Sequence, residues 1–240
     1  MAFGHGINAR YYYNALDWSA FIEEADPGLE RATSEVKPLS VDWVQQVQGH
    51  RRMTIGLKGI YAEDYANGGA IEDNAWDAFD DGVAHVFAYL PQGDAAGRYG
   101  YCGKSNLGSV SITVGDDAVK MPVSAISSNQ YDRCVILYPK THTEADANGA
   151  SQNGGSASTD GLRAYVILFD IDAATAVVVK LQDSADNNTW ADISGAATAS
   201  LTAAGDALIE TSGAVRQYVR AVIDITGAGH CTPFVAFARK

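Results

Sequence analysis

The feature that most constrains the fold is a succession of short segments in which apolar and polar residues alternate and which end at turn-forming residues. Residues 51–62 place Met53, Ile55 and Leu57 on one side of an extended strand and polar residues on the other. Such alternation is typical of a strand with one buried face. The other segments that predict strands are 11–13, 83–90, 99–103, 109–114, 119–127, 134–138, 165–171, 176–182, 215–224 and 233–238. The chain is therefore expected to be mainly β, with antiparallel sheets.

One segment, residues 70–81, predicts a helix. Ile71, Ala75, Trp76 and Phe79, followed by Val83, form an apolar stripe at helical spacing, and Gly82 stands where a helix commonly ends. A single helix beside short strands indicates an α+β arrangement in which the helix flanks an antiparallel sheet.

Composition divides the chain at residues 141–160, which are small, polar and rich in glycine, with no aliphatic side chain larger than alanine. Such a segment buries too little surface to offset the cost of ordering it, which predicts a linker. We therefore expect one domain in residues 1–140, with the sheet and the helix. Residues 161–240 contain only strand patterns, and we expect them to form a β-sandwich.

Two further stretches are expected to be irregular. Asp26-Pro27-Gly28 predicts a tight turn. Residues 34–49 predict a long polar loop that carries a few apolar side chains, Val41, Trp43, Val44 and Val47.

The charge argues against binding to nucleic acid, because 17 basic and 29 acidic residues give a net charge of −12. The three cysteines are too few for a disulfide scaffold and do not form a zinc-ligand pair, so we expect buried thiols. No apolar run has the roughly 20 residues of a membrane helix, and the N-terminal residues do not resemble a secretory signal. We expect a soluble protein made in the cytosol.

Catalytic and cofactor motifs are absent from the sequence, which contains no nucleophile elbow, zinc-protease helix, phosphate loop or dinucleotide fingerprint. The segment from Glu144 to Asn148 resembles the start of a calcium loop, but Gly155 stands where the bidentate glutamate is needed. We therefore expect no catalytic residue, no cofactor and no metal site, and the chain is not expected to be an enzyme. Trp190 is either a core residue or a platform for a sugar ring.

Residues 177–193, VVVKLQDSADNNTWADI, resemble a pattern of tailed-bacteriophage virion proteins, particularly major tail proteins. The matching residues are Gln182, Ser184, Asp186, Thr189 and Trp190. Residues 216–221 and 235–239 resemble the closing strands of the same domain, and the first part of the chain is similar to a tail tube domain.

This resemblance implies a structural subunit of the virion tail, assembled in the host cytoplasm. Its partners would be copies of itself, joined into six-fold rings that stack as a tube, and other phage tail proteins. DNA would pass through the channel without specific binding, past acidic residues that repel it. The sandwich would decorate the outside of the tube.

The resemblance also gives the polar loop a role, since an isolated aromatic residue on a polar arm becomes ordered when a partner buries it. Val41, Trp43, Val44 and Val47 are therefore candidate contacts between subunits or rings. The alternative is a loop that folds back on its own domain. Two other functions stay open at this point: a capsid decoration or tail-tip protein, and a glycan-binding adhesion module that uses Trp190.

Overall fold

The computed structural model describes residues 8–36, 45–60, 71–114, 119–128 and 131–240. It confirms a mainly β fold with antiparallel strand pairs and, within these residues, one helix. In chain order the elements are β1 (Arg10–Tyr13), β2 (Leu16–Asp17), β3 (Ile22–Val36), β4 (Gln45–Ile60), α1 (Ile71–Asp80), β5 (His85–Leu90), β6 (Tyr99–Val110), β7 (Thr113–Val114), β8 (Val119–Ser128), β9 (Tyr131–Tyr138), β10 (Ala147–Asn148), β11 (Gln152–Asn153), β12 (Leu162–Asp172), β13 (Ala176–Ser184), β14 (Ala191–Ala197), β15 (Gly205–Glu210), β16 (Tyr218–Thr226) and β17 (His230–Arg239).

The chain forms two compact units, and neither is one continuous stretch of sequence. The first unit comprises Met1–Ser19, Val86–Gly103 and Asp132–Lys240, and the second comprises Ala20–His85 and Lys104–Tyr131. This division differs from the expected parts 1–140 and 161–240, because residues 1–19 and 86–103 belong to the same unit as the C-terminal strands.

The first unit contains two sheets. One has the strand order β15-β12-β17-β9-β6-β5-β1-β2, and the other has the order β10-β16-β13-β14, with β11 also on β16. Val166 and Leu168 of β12 and Val177 and Val179 of β13 are fully buried in the core that the two sheets share. Each such side chain stabilises the fold by roughly 1.5–3 kcal/mol relative to exposure.

The larger sheet is apolar on its other face as well. Tyr165 and Ile167 of β12 point away from the shared core and belong to a second buried cluster. In that cluster the Tyr12 ring meets Phe169 and Phe234 edge-on, with ring centroids 4.9 and 5.3 Å apart. Because β1 packs against β12 and β17, which are not its neighbours in the strand order, this sheet curls around the second cluster.

The segment expected to be a linker, residues 141–160, is part of the smaller sheet. The amides of Gly149 and Gly154 donate to the carbonyls of Ala221 and Gln217 at 2.8 and 2.9 Å. A Cβ atom at Gly149 would lie 2.7 Å from the Leu137 carbonyl oxygen. The small residues therefore permit close approach of the backbone, and the hydrogen bonds to β16 order the segment without large side chains.

The second unit is an antiparallel sheet in which β4 pairs with β3 and β8, and β8 also pairs with β6 and β7. Met53, Ile55 and Leu57 are buried on one face of β4, as their alternation predicts. Two expectations about this unit were wrong. Asp26-Pro27-Gly28 continues β3 instead of turning, and β3 and β4 extend into residues 34–36 and 45–49, where the sequence indicated a loop.

The helix α1 forms where the sequence predicts it, but its buried face is different. Ile71, Ala75 and Ala78 are buried at positions i, i+4 and i+7, whereas Trp76 and Phe79 are 55% and 42% exposed. The expected apolar stripe therefore splits, and its aromatic half faces away from the core of the unit.

Candidate assembly surfaces

Three of the four expected contact residues, Val41, Trp43 and Val44, lie outside the described residues. Val47 lies in β4 and pairs with Ser34 of β3. These residues stay a prediction, and the described surfaces of the second unit provide independent candidates.

The outer edge of β3 is the longest unpaired sheet edge in the described part of the chain. Over Ile22–Val36 the strand pairs only with β4. Among the described residues, β8 pairs with β4 only from Arg52 onward. Within that part of the chain, residues 45–51 therefore pair with β3 alone and continue the sheet as a two-stranded ribbon. An exposed edge of this kind presents a row of backbone donors and acceptors that another strand can bind.

The outward side of α1 forms an apolar and acidic surface. The rings of Trp76 and Phe79 lie 6.1 Å apart. Beside Trp76 a groove of about 380 Å³ is lined by Glu72, Val110 and Ile112. Glu72 and Asp73 stand in the first turn of the helix, and its last turn carries no basic residue.

The buried thiols expected from the sequence are confirmed, since Cys102, Cys134 and Cys231 are free and buried. Burial raises the pKa of the Cys134 thiol and raises that of Cys231 to about 11. Protonated, buried thiols are poor nucleophiles.

Among the described residues, no group of three or more His, Cys, Asp or Glu side chains is arranged to hold a metal ion. The helix in this part of the chain is too short and polar to span a membrane.

Two histidines that are distant in sequence stack on each other in the first unit. The ring centroids of His142 and His230 lie 4.2 Å apart. His230 is 3.2 Å from Asp170, and His142 is 3.4 Å from Glu144. No sequence pattern predicts this pair, because the two histidines meet through an isolated bridge between Thr143 and Cys231.

The residues that match the virion-protein pattern in 177–193 form a turn and a series of hydrogen-bonded side chains. The carboxylate of Asp186 accepts hydrogen bonds from the amides of Asn188 and Thr189 between β13 and β14. These bonds hold the pKa of Asp186 well below its usual range. The pattern is therefore one that closes a β-hairpin through an Asx turn.

Trp190 is half-buried beside this turn, and the guanidinium of Arg220 lies 4.4 Å from the centroid of its ring. Arg220 donates twice to Gln182 Oε1, at 3.0 and 2.7 Å, and Gln182 donates to Asp192 at 2.7 Å. Arg220 thus covers one face of the indole ring. A sugar ring that stacked on Trp190 would need a free face of this kind.

Comparisons with known proteins find no matching family model and no matching sequence among curated proteins. A chain from the virion of the native gene transfer agent particle is 13% identical over 55% of this chain and 98% of its own, with a TM-score of 0.42. The Dit protein of phage SPP1, described as a paradigm of the hub adsorption apparatus in phages that infect Gram-positive bacteria, is 10% identical over 96% and 99%, with a TM-score of 0.36. A chain from infectious bursal disease virus, Gx strain, is 9% identical over 98% and 58%, with a TM-score of 0.28. At these identities and TM-scores the alignments assign the chain to no family.

Proposed function

We propose that the protein is a structural subunit of a phage virion, and specifically the major tail subunit, whose copies join into rings that stack as a tube around a DNA channel. The observation that carries this proposal is the outer edge of β3, which no other described strand covers and which runs along 15 residues into the ribbon with β4. Natural proteins usually cover, shorten or break such an edge. A neighbouring copy that pairs with this edge would cover its exposed backbone groups, and a closed ring of copies would cover the edge of every subunit.

A single proline substitution tests whether this edge mediates assembly. Pro27 cannot donate a hydrogen bond and is tolerated in a strand when its nitrogen faces the free edge. The register is regular from Glu24 to Arg31, so the amide of Ala25 also faces outward. We expect Ala25→Pro to leave the β3–β4 pairing intact but to abolish rings and tubes in negative-stain electron microscopy and sedimentation velocity.

Ala25→Val is the matched control, because it keeps the amide donor and should assemble as the wild-type protein does. A wild-type protein that remains monomeric at high concentration would contradict the proposed function. Rings that never stack would favour a tail-tip protein, and small discrete oligomers would favour a capsid decoration protein. Glycan binding that is lost in a folded Trp190→Ala variant would favour an adhesion module.

The proposed channel would be acidic, in keeping with the net charge of −12, so that DNA moves through it without binding. A reconstruction of the rings with a lysine- and arginine-rich lumen would contradict this part of the proposal.

A further inference from the structure

Two Asn-Gly pairs lie on the edge of the smaller sheet, where β10 and β11 border β16. Asn148 is the last residue of β10 and Asn153 is the last residue of β11, and both are exposed. Each is followed by a glycine, Gly149 or Gly154. Because glycine has no Cβ atom, it leaves its backbone nitrogen open to approach by the preceding side chain. Both asparagines are therefore candidates for reaction with their own backbone.

The backbone of the two pairs is held in the same way. The Gly149 amide donates to the carbonyl of Ala221 at 2.8 Å, and the Gly154 amide donates to the carbonyl of Gln217 at 2.9 Å. Either amide has to leave its acceptor before it can react, so strand pairing protects both sites to a similar extent. A difference in reactivity between them has to come from the surroundings of the asparagine side chains.

Those surroundings differ. The Asn153 side-chain oxygen Oδ1 accepts hydrogen bonds from the Gly155 amide at 2.8 Å and from Gln217 Nε2 at 3.1 Å. The bond from Gly155 forms an Asx turn, which folds the side chain back over the peptide bond to Gly154. Among the described residues, no hydrogen bond reaches the side chain of Asn148. Only Asn153 thus has two N–H donors on the oxygen where negative charge would develop during attack on its amide carbon.

We propose that Asn153 is a site of spontaneous deamidation in the native protein, promoted by the N–H donors of Gly155 and Gln217. Hydroxide or a buffer base removes the proton of the Gly154 amide, and this nitrogen forms a bond to the Asn153 Cγ atom. The negative charge moves to Oδ1, where the two donors stabilise it. The bond between Cγ and Nδ2 then breaks, and Nδ2 takes a proton from water and leaves as ammonia. Water opens the resulting succinimide ring to aspartate or isoaspartate.

The product changes the edge of the smaller sheet. Isoaspartate adds a methylene group to the backbone, which disturbs the pairing of Gln152 with Val219 and of Asn153 with Tyr218. Either product also adds a carboxylate to a chain whose net charge is already −12. Deamidation therefore loosens β11 as the protein ages, and this inference does not depend on assembly into a tube.

Peptide mapping by mass spectrometry, with aspartyl and isoaspartyl products separated, measures both sites in one sample. After incubation of the folded protein at mildly alkaline pH, we expect Asn153 to have reacted about tenfold faster than Asn148. In urea the two rates should become similar, because both asparagines precede a glycine and the two donors are no longer held at Asn153. Asn148 is thus the internal control for Asn153.

Variants of Gln217 separate stabilisation of the reaction from loosening of the strand. Gln217→Met keeps the size of the side chain but removes the donor, so Asn153 should react about threefold more slowly and Asn148 at an unchanged rate. Gln217→Lys supplies a donor again and should recover most of the rate. A purely structural role of Gln217 would give the opposite result, since a strand that opens more often reacts faster.

Thermal unfolding of both variants should match that of the wild-type protein. The inference is overturned if Gln217→Met speeds the reaction at Asn153, or if Asn148 reacts as fast as Asn153 in the folded protein. It is also overturned if both sites react in urea and neither reacts in the folded protein, because strand pairing would then outweigh the effect of the two donors.

Discussion

Lys140 joins the short β1–β2 hairpin to the aromatic cluster of the first unit. Its ammonium group lies 2.8 Å from the Asp17 carboxylate and 4.6 Å from the centroid of the Phe169 ring. Burial by itself would raise the pKa of Asp17, but hydrogen bonds from Lys140 and Ser19 outweigh it and lower that pKa. The partly buried ammonium group of Lys140 thus interacts with a carboxylate and an aromatic ring, and these contacts replace its interactions with water.

Asp17→Asn should destabilise the protein by about 1–3 kcal/mol at neutral pH, because Lys140 loses its charged acceptor. The folded pKa of Asp17 is below its unfolded value, so the stabilisation is complete above about pH 4 and is lost as the pH falls through the folded pKa. Urea unfolding at pH 7 and pH 3 should therefore show a difference between wild type and variant that shrinks in acid. Asp160→Asn, at an exposed carboxylate, is the control, and an equal difference at both pH values would contradict the assignment.

Two glycines with nearly the same φ angle allow the cost of backbone strain to be distinguished from the cost of a steric clash. Gly161 has φ +90°, and a Cβ atom there would lie 2.1 Å from the Thr211 carbonyl oxygen. Gly155 has φ +83°, with nothing within 4 Å of its would-be Cβ. We expect Gly155→Ala to cost about 1–2 kcal/mol from the left-handed conformation alone.

Gly161→Ala should cost at least about 3 kcal/mol, since the backbone of β12 must also move away from Thr211. Urea unfolding of the two variants side by side measures the difference. Equal losses would mean that the chain relaxes around the new methyl group and that the close approach at Gly161 is not enforced.

At the scale of elements, the sequence predicts what local periodicity determines. The alternation of Met53, Ile55 and Leu57 and the spacing of α1 are local properties, and both elements form. Pro27 in β3 is different: a proline is compatible with a turn or with an edge strand, and only the tertiary position of β3 at the sheet edge decides between them. Composition likewise could not show that residues 141–160 would find hydrogen-bond partners on β16.

The candidate surfaces were even less visible in the sequence. The long outer edge of β3 depends on the register between β3 and β4, which no local pattern specifies. Trp76 and Phe79 fit the helical apolar pattern and were expected in the core. They are exposed because small residues, Ala75 and Ala78, occupy the buried face instead.

At the scale of the whole molecule, the first unit depends on residues from both ends of the chain. Tyr12 of β1 and Val86 and Ala88 of β5 lie in the same buried cluster as Phe234 of β17. A boundary at residue 140 would cut this cluster, because its aromatic and aliphatic members come from both sides of that position. The unit has therefore to fold through long-range strand pairing, which composition alone does not reveal.

This arrangement predicts that residues 141–240 will not fold by themselves, although they contain the whole smaller sheet and nearly all of the core between the two sheets. Their separation from β1, β5, β6 and β9 would expose Tyr165, Ile167 and Phe234, which are fully buried in the intact chain. We expect the isolated fragment to bind a hydrophobic dye and to unfold without a cooperative transition. Co-expression with residues 1–140 should abolish the dye binding and restore cooperative unfolding. A fragment that gives well-dispersed NMR signals and unfolds cooperatively would instead show that the core between the two sheets is sufficient. The division into parts 1–140 and 161–240 that composition suggests would then describe independently folding domains.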